Sequence, residues 1–324
     1  MKQQLLNMAH RVDAFFARQS LRVYPERPVL LVMLFHELFE NQAEMDQACM
    51  FPHEGLTVEH FRAFVAYFLE AGYEFVSPAQ VLSDLGGRGR YVLISFDDGY
   101  YNNHRALKVL REYAVPAVFS IATSYVLQQQ AFWWDVHYRQ ERRRGKSFAR
   151  ILAEQQALKQ LTFAQVHARM RQAYGQAACS PQSDTDRPFT AGELRDFARE
   201  KYVHLGNHTR HHAILPHYDA ASQLAEIQGA QDDLEAIAGL RPAFIAYPNG
   251  EGHAQTARIA RQAGLKLGAI ATMGKQHLPL GPDQLMLLDR SQIFGTRDIR
   301  RQCDALRAEV TLKGLYRRLR HPAR

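Results

Sequence analysis

Short apolar runs alternate along the chain with longer stretches whose apolar positions recur every three or four residues. The runs "VLLVMLF" (29–35), "YEFV" (73–76), "YVLISF" (91–96), "PAVFSIA" (116–122), "YVHLGN" (202–207), "AFIAY" (243–247), "LKLGAIA" (265–271) and "MLLDR" (286–290) predict strands. Helical patterns separate them. In "TVEHFRAFVAYFLEAG" (57–72), Phe61, Phe64, Val65, Phe68 and Leu69 share a face, with Thr57 as N-cap and Gly72 as terminator. "SPAQVLSDL" carries Ser77 as cap and Pro78 at the first helical position. "HRALKVLREYA", "AASQLAEIQGAQDDLEAIAG" and "AQTARIARQAG" continue the rhythm. Such alternation implies right-handed βαβ crossovers: an α/β fold with seven or eight parallel strands, most simply closed as a barrel in a single domain.

One segment breaks the rhythm. Residues 124 to about 190 are helix-rich, with six cations between Arg139 and Arg150 against a single Glu141, and turn loop-like at "CSPQSDTDRP". An insertion of that size predicts either a lid or docking element or a solvated helical hairpin. The first twenty residues form an amphipathic pattern (Leu5, Leu6, Met8, Val12, Phe15, Phe16), and a basic helix is expected over about 296–324.

Composition changes this picture little. The 324 residues are 46% hydrophobic and 23% charged, as in ordinary globular proteins, and a net charge of +7 favours anionic partners. Nucleic acid is not expected among them. Cys49, Cys179 and Cys303 are odd in number and form no CxxC pair, which argues against a disulfide framework. No signal-peptide core or membrane span is evident, so a cytoplasmic location is expected, with the inner face of the membrane within reach.

Sites in parallel α/β sheets form where strand C-termini open into loops. Four predicted strands deliver reactive groups there: His36, the pair Asp97–Asp98, His208 and His212 four residues apart in "NHTRHH", and "PNG" after Tyr247. Two histidines on one helical turn and one carboxylate make a three-ligand metal site with an open position. One of the two aspartates would then bind the cation and the other would serve as a base. A metalloprotease HExxH is absent, because "HELFE" has Glu40 at the second histidine position. His53, His60, His204, His211, His217 and His277 have no such context and are expected to be structural or superficial.

Together, "FDDGYYNN", "HTRHHAIL" and "AYPNGE" resemble the first three motifs of the polysaccharide deacetylase superfamily, the NodB-homology or carbohydrate esterase family 4 fold. The resemblance runs from about Val29 to Ile293 outside the insertion. It implies a distorted (β/α) barrel that removes N-acetyl or O-acetyl groups from saccharides. It also implies Asp97 as base, and Asp98, His208 and His212 as ligands of a divalent metal, zinc by preference. Ala246 stands where the family often has arginine, so support of the base from that position is missing, and the late L-x-H motif is not evident. Some members acting on poly-N-acetylglucosamine carry an equivalent histidine after the first strand, and "VMLFHELFE" resembles that arrangement, which makes His36 the candidate acid.

The expected mechanism adds the backbone N–H of Asn249 as oxyanion donor. Trp133 and Trp134 are expected to stack on a sugar ring, Asp135 to bind its hydroxyls, and Tyr100, Tyr247 and Pro248 to contact substrate. The substrate would be an acetylated saccharide or, by preference, a saccharide precursor. This could be nucleotide- or lipid-linked, and the basic insertion and "TLKGLYRRLRHPAR" could attract its phosphate or an anionic membrane face. The alternatives are a small-molecule amide hydrolase on the same fold and a non-catalytic binding protein at a membrane surface or on an anionic polymer.

Overall fold

In the computed structural model, which describes residues 2–83 and 85–311, nine strands form one sheet: β1 (Val29–Phe35), β2 (Glu74–Phe75), β3 (Arg90–Phe96), β4 (Ala117–Ile121), β5 (Val203–Asn207), β6 (Phe244–Ala246), β7 (Leu267–Ile270), β8 (Gln276–His277) and β9 (Leu288–Ser291). Seven of them close a parallel barrel in the order β1-β3-β4-β5-β6-β7-β9, and β9 returns to pair with β1. Strand β2 extends one edge of β3, and β8 pairs antiparallel with the start of β1, a strand the sequence pattern did not announce.

Strands β1 and β6 are apolar throughout, and β3, β4 and β7 nearly so, because both faces are covered. Leu30 and Val32 of β1, Leu93 of β3, Val118 of β4, Phe244 and Ala246 of β6 and Leu288 of β9 fill the barrel interior. Their neighbours Leu31, Met33, Phe35, Ile94, Phe96 and Phe119 face outward into a cluster shared with the helix Val58–Glu70, where Phe119 packs on Phe197. That helix starts as expected, with Thr57 and His60 forming a capping box. Phe35 meets Phe61, Phe64 and Phe96, and Phe61 meets Phe96, edge-on or stacked with ring centroids 5.2–5.4 Å apart. Such aromatic pairs add about 0.5–1.5 kcal/mol each beyond their buried area.

The helix Lys2–Val23 packs across the final described helix, Ile299–Arg307, through the Arg18–Asp304 ion pair. The expected basic helix is thus nine residues long where described, and the "LKGLYRRLRHPAR" part of that reading lies outside the described residues. No helix among the described residues is long and apolar enough to cross a membrane.

The insertion is built from the helices Thr123–Gln128, Trp133–Arg143, Phe148–Leu158 and Phe163–Tyr174. It is not a solvated hairpin. It has its own core, in which Tyr125, Phe132, Trp134, Ile151, Val166 and Met170 pack onto Phe39, Phe51 and Tyr100 from the barrel rim. Its basic run is also less free than its charge suggests. Arg139 is buried on Asp186 (2.6 Å), while Arg144, Lys146 and Arg150 are paired with Glu141 or Glu154.

Candidate active site

Strand alternation decides which side chains reach the barrel mouth. On β1 the inward positions 30 and 32 continue to His36, and on β3 the inward Leu93 is followed by Ser95 and Asp97. On β5 the outward Val203 and Leu205 leave His204, Gly206 and His208 to the inside. On β9 the inward Leu288 is followed by Arg290. Four strands thus aim His36, Asp97, His208 and Arg290 at one rim.

The two aspartates diverge because Asp97 extends β3, its N–H donating to Phe35, whereas Asp98 adopts a left-handed φ of 74° and Gly99 one of 89°. A β-carbon on Gly99 would also press on Ile121 at 3.1 Å, so glycine suits this turn on two counts. Asp97 is 2% exposed. Arg290, itself 1% exposed, donates to Asp97 Oδ1 at 2.8 Å through Nη1, which also contacts Ser95 Oγ. Burial alone would raise the Asp97 pKa, but the charges of Arg290, His208 and His36 and the Arg290 hydrogen bond hold it below the usual carboxylate value. The support that Ala246 cannot give therefore comes from Arg290, a residue the motif comparison passed over. The signal was present: an arginine two positions beyond an apolar, inward-facing Leu288.

Asp98 is held differently. Both of its carboxylate oxygens are buried without a hydrogen-bond partner among the described residues. His208 Nε2 and His212 Nε2 approach Oδ1 at 3.4 and 3.3 Å. His208 Nδ1 donates to the carbonyl of Ala246 at 2.8 Å, which leaves Nε2 as the free nitrogen facing the carboxylate. Donors arranged tetrahedrally at ~2.0–2.1 Å from zinc stand about 3.3 Å apart, so this set of one carboxylate and two imidazoles fits a small divalent cation. Burial opposes charge on Asp98, yet the two imidazoles, with His36, keep its pKa far below normal. The HxxxH pair does not lie on a helical turn. Residues 208–212 form a loop in which Thr209 (φ 60°) and His212 (φ 52°) are left-handed, and Thr209 Oγ1 accepts the Ala213 N–H to close it.

His36 lies across the mouth. Its Nδ1 contacts Glu54 Oε1 at 2.8 Å and its backbone N–H donates to Oε2 of the same residue. Burial pulls the His36 pKa down, but Glu54, with smaller help from Asp98 and Asp97, carries it up to about 10. His53, expected to be structural or superficial, stacks on His36 at the mouth with centroids 4.3 Å apart and its Nδ1 3.2 Å from Glu37. Possible ligand atoms of His36, His53 and Asp98 lie within 4.8 Å of one another. His53 sits in a loop with no periodicity to betray it.

Several expected substrate contacts are corrected by burial. Tyr100 and Asp135 are both 0% exposed. The Tyr100 hydroxyl donates to Asp135 and receives the Trp134 indole N–H, each at 2.7 Å, while the Phe51 N–H caps the other Asp135 oxygen. They lock the insertion to the barrel rim and cannot reach a sugar. Tyr247 packs in a satellite core with Ala257, Leu265 and Met286, and Pro248 is buried beside it. Trp133 and Trp134 wall a cavity next to His212 but are nearly buried, so neither offers a free stacking face. Asn249 is exposed and left-handed (φ 59°), and its side-chain oxygen accepts from Lys159 of the insertion.

The family model for polysaccharide deacetylases matches residues 85–268, more than half of the chain. The chain belongs to the polysaccharide deacetylase family. Solved structures of similar fold include the Streptococcus pyogenes deacetylase PplD (16% identity, TM-score 0.59, covering 86% of this chain and 99% of that one). IcaB from Ammonifex degensii is similar at 17% identity, with TM-score 0.55 and coverage of 87% and 98%. A de-N-acetylase from Aggregatibacter actinomycetemcomitans is similar at 14% identity, with TM-score 0.59 and coverage of 86% and 99%. No curated protein matches in sequence. Membership in the polysaccharide deacetylase family supports saccharide deacetylation, and the matched span contains Asp97, Asp98, His208 and His212 but neither His36 nor Arg290.

Proposed function

We propose that the protein is a metal-dependent deacetylase of an N-acetylated saccharide or saccharide precursor. The observation that carries this reading is Asp98, a buried carboxylate that accepts no hydrogen bond among the described residues and is faced by two imidazoles, next to a second carboxylate already neutralised by Arg290. Asp98, His208 and His212 would hold the cation, which supplies Lewis acidity towards the acetyl carbonyl and acidifies a water.

The chain's own groups do the rest. Asp97, kept ionised by Arg290, accepts the proton of the attacking water. The backbone N–H of Asn249 is our candidate for the oxyanion. His36, held by Glu54 through Nδ1, keeps its other nitrogen for the departing group and delivers the proton that an amine needs in order to leave. An alkoxide leaves more readily than an amide anion, so a cationic acid here favours N-acetyl over O-acetyl substrates.

The test is acetate release from N-acetylated sugars, which should stop with chelator and return with added metal. His208→Ala should lose nearly all bound metal by elemental analysis, whereas Asp97→Asn should keep the metal and lose turnover. Metal retained by His208→Ala would overturn the ligand assignment.

A further inference from the structure

Lys159 closes the helix Phe148–Leu158 as its C-cap and reaches the barrel mouth from the insertion. The other lysines and arginines that the insertion half-buries are paired. Arg139 sits on Asp186, and Lys146 on Glu141 and Glu154. Lys159 is not: among the described residues no carboxylate lies within ion-pair distance of its ammonium, which donates only to the neutral amide oxygen of Asn249. A half-buried ammonium without a counter-ion carries an uncompensated desolvation cost. Burial accordingly pulls its pKa down, against the more distant charges of Glu251 and Asp98.

The same lysine lines the cavity beside His212, together with Trp134, Phe163, His211 and His217. No lining residue is acidic. The water-accessible volume is about 40 Å³, room for roughly three waters at 10–15 Å³ each. That is too small for a second sugar ring and suits a compact group of four or five heavy atoms. His211 has its Nδ1 engaged by Glu226 at 2.7 Å, while His217 is exposed, so Lys159 is the principal cation of the pocket and His217 an exposed neighbour. A cation held by Asp98 and His212 would make this wall still more positive.

We propose that this cavity is an anion subsite in which Lys159, assisted by His217, binds the phosphate of a phosphorylated N-acetylated sugar. The inference rests on the deacetylase reading and names its substrate class. The insertion then contributes to specificity as well as to shape, since the cation comes from it and the metal ligands from the barrel. The phosphate could belong to a free sugar phosphate, a nucleotide sugar or a lipid-linked sugar. All three present the same group to Lys159.

The experiment compares kcat/KM for N-acetylglucosamine 1-phosphate with that for N-acetylglucosamine, on the metal-loaded full chain. The wild type should favour the phosphorylated sugar by about tenfold or more. Lys159→Gln should bring the ratio to about one, and Lys159→Arg should preserve most of it. A wild-type ratio near one, or a ratio unchanged by Lys159→Gln, overturns the proposal. UDP-N-acetylglucosamine and N-acetylglucosamine linked to a short prenyl diphosphate, run alongside, show which source of phosphate is preferred. Calorimetric binding of inorganic phosphate provides a second readout that does not depend on turnover, with Lys159→Gln expected to raise Kd about tenfold. If no substrate releases acetate, the deacetylase reading fails, and the phosphate Kd alone decides the subsite: unchanged affinity in Lys159→Gln sinks it.

Discussion

Asp97 and Asp98 are adjacent in sequence, equally buried, and given opposite partners: a guanidinium for the first and two imidazoles for the second. The pairing with Arg290 has a measurable consequence. An opposite charge within hydrogen-bond reach lowers a carboxyl pKa by roughly 1–3 units, while burial raises it. In Arg290→Met burial is opposed only by His208 and His36, so the acid limb of kcat/KM against pH should move upward by about that amount. Arg290→Lys should restore part of the shift. An unmoved limb in Arg290→Met would show that the arginine only holds the barrel together. His36 is tested by its leaving group. His36→Ala should lose about 10²- to 10⁴-fold on an N-acetyl sugar and far less on an activated aryl acetate, with metal content unchanged. Equal losses on both substrates would make His36 a structural residue. These residues were unevenly legible. Strand parity and polar residues at strand ends pointed to His36, Asp97 and His208. Arg290 obeys the same parity but lies 44 positions from the motif where an arginine was sought (290 − 246). His53 sits in a loop, where neither periodicity nor motif spacing operates.

At the scale of elements, helix patterns and caps were readable because Thr57 and Ser77 have local partners three residues on. The insertion's interior was not readable, because its partners come from Phe39, Phe51 and Tyr100, far away in sequence. Tyr100, Trp134 and Asp135 look like sugar contacts in one dimension and turn out to be its fastening. The same burial makes the insertion acid-sensitive. His167 is 4% exposed, its Nε2 lies 3.0 Å from the Tyr125 hydroxyl, and burial, with the charges of Arg171 and His211, lowers its pKa to about 4. The unfolded chain, near 6.5, therefore binds the proton first. Stability from the neutral ring is complete above pH 6.5 and drains away as the pH falls towards 4, by on the order of 3 kcal/mol. Thermal unfolding of the wild type should show that slope between pH 7 and 4, and His167→Gln should flatten it. An identical slope in the variant would assign the acid sensitivity to other groups.

For the molecule as a whole, alternation of strands and helices was enough to predict a closed parallel barrel, because strands apolar on both faces must be covered on both. It could not say how the barrel closes. The closing contact is β1 against β9, joining the first strand of the chain to the last, and it is made by Val32 and Met33 with Arg290 and Ser291. This has a kinetic meaning. A growing chain can pair β1 with β3 early, and β8 later covers the start of the other edge of β1, but that edge at Val32 and Met33 stays open until residue 291 exists, and so distant a contact forms slowly. Until then two sheet edges remain exposed to association. A chain stopped at residue 285 should therefore form soluble oligomers or aggregates on size-exclusion chromatography, where the full chain does not. Recovery of a monomeric, cooperatively folded product would show that the seam is dispensable. The seam also sets the order in which the chemistry matures. Asp98, His208 and His212 belong to β3, β5 and the loops that follow them, whereas Asp97 gains Arg290 only when the last strand docks, so on the proposed reading a half-made barrel would hold the proposed ligands while the proposed base still lacks its arginine.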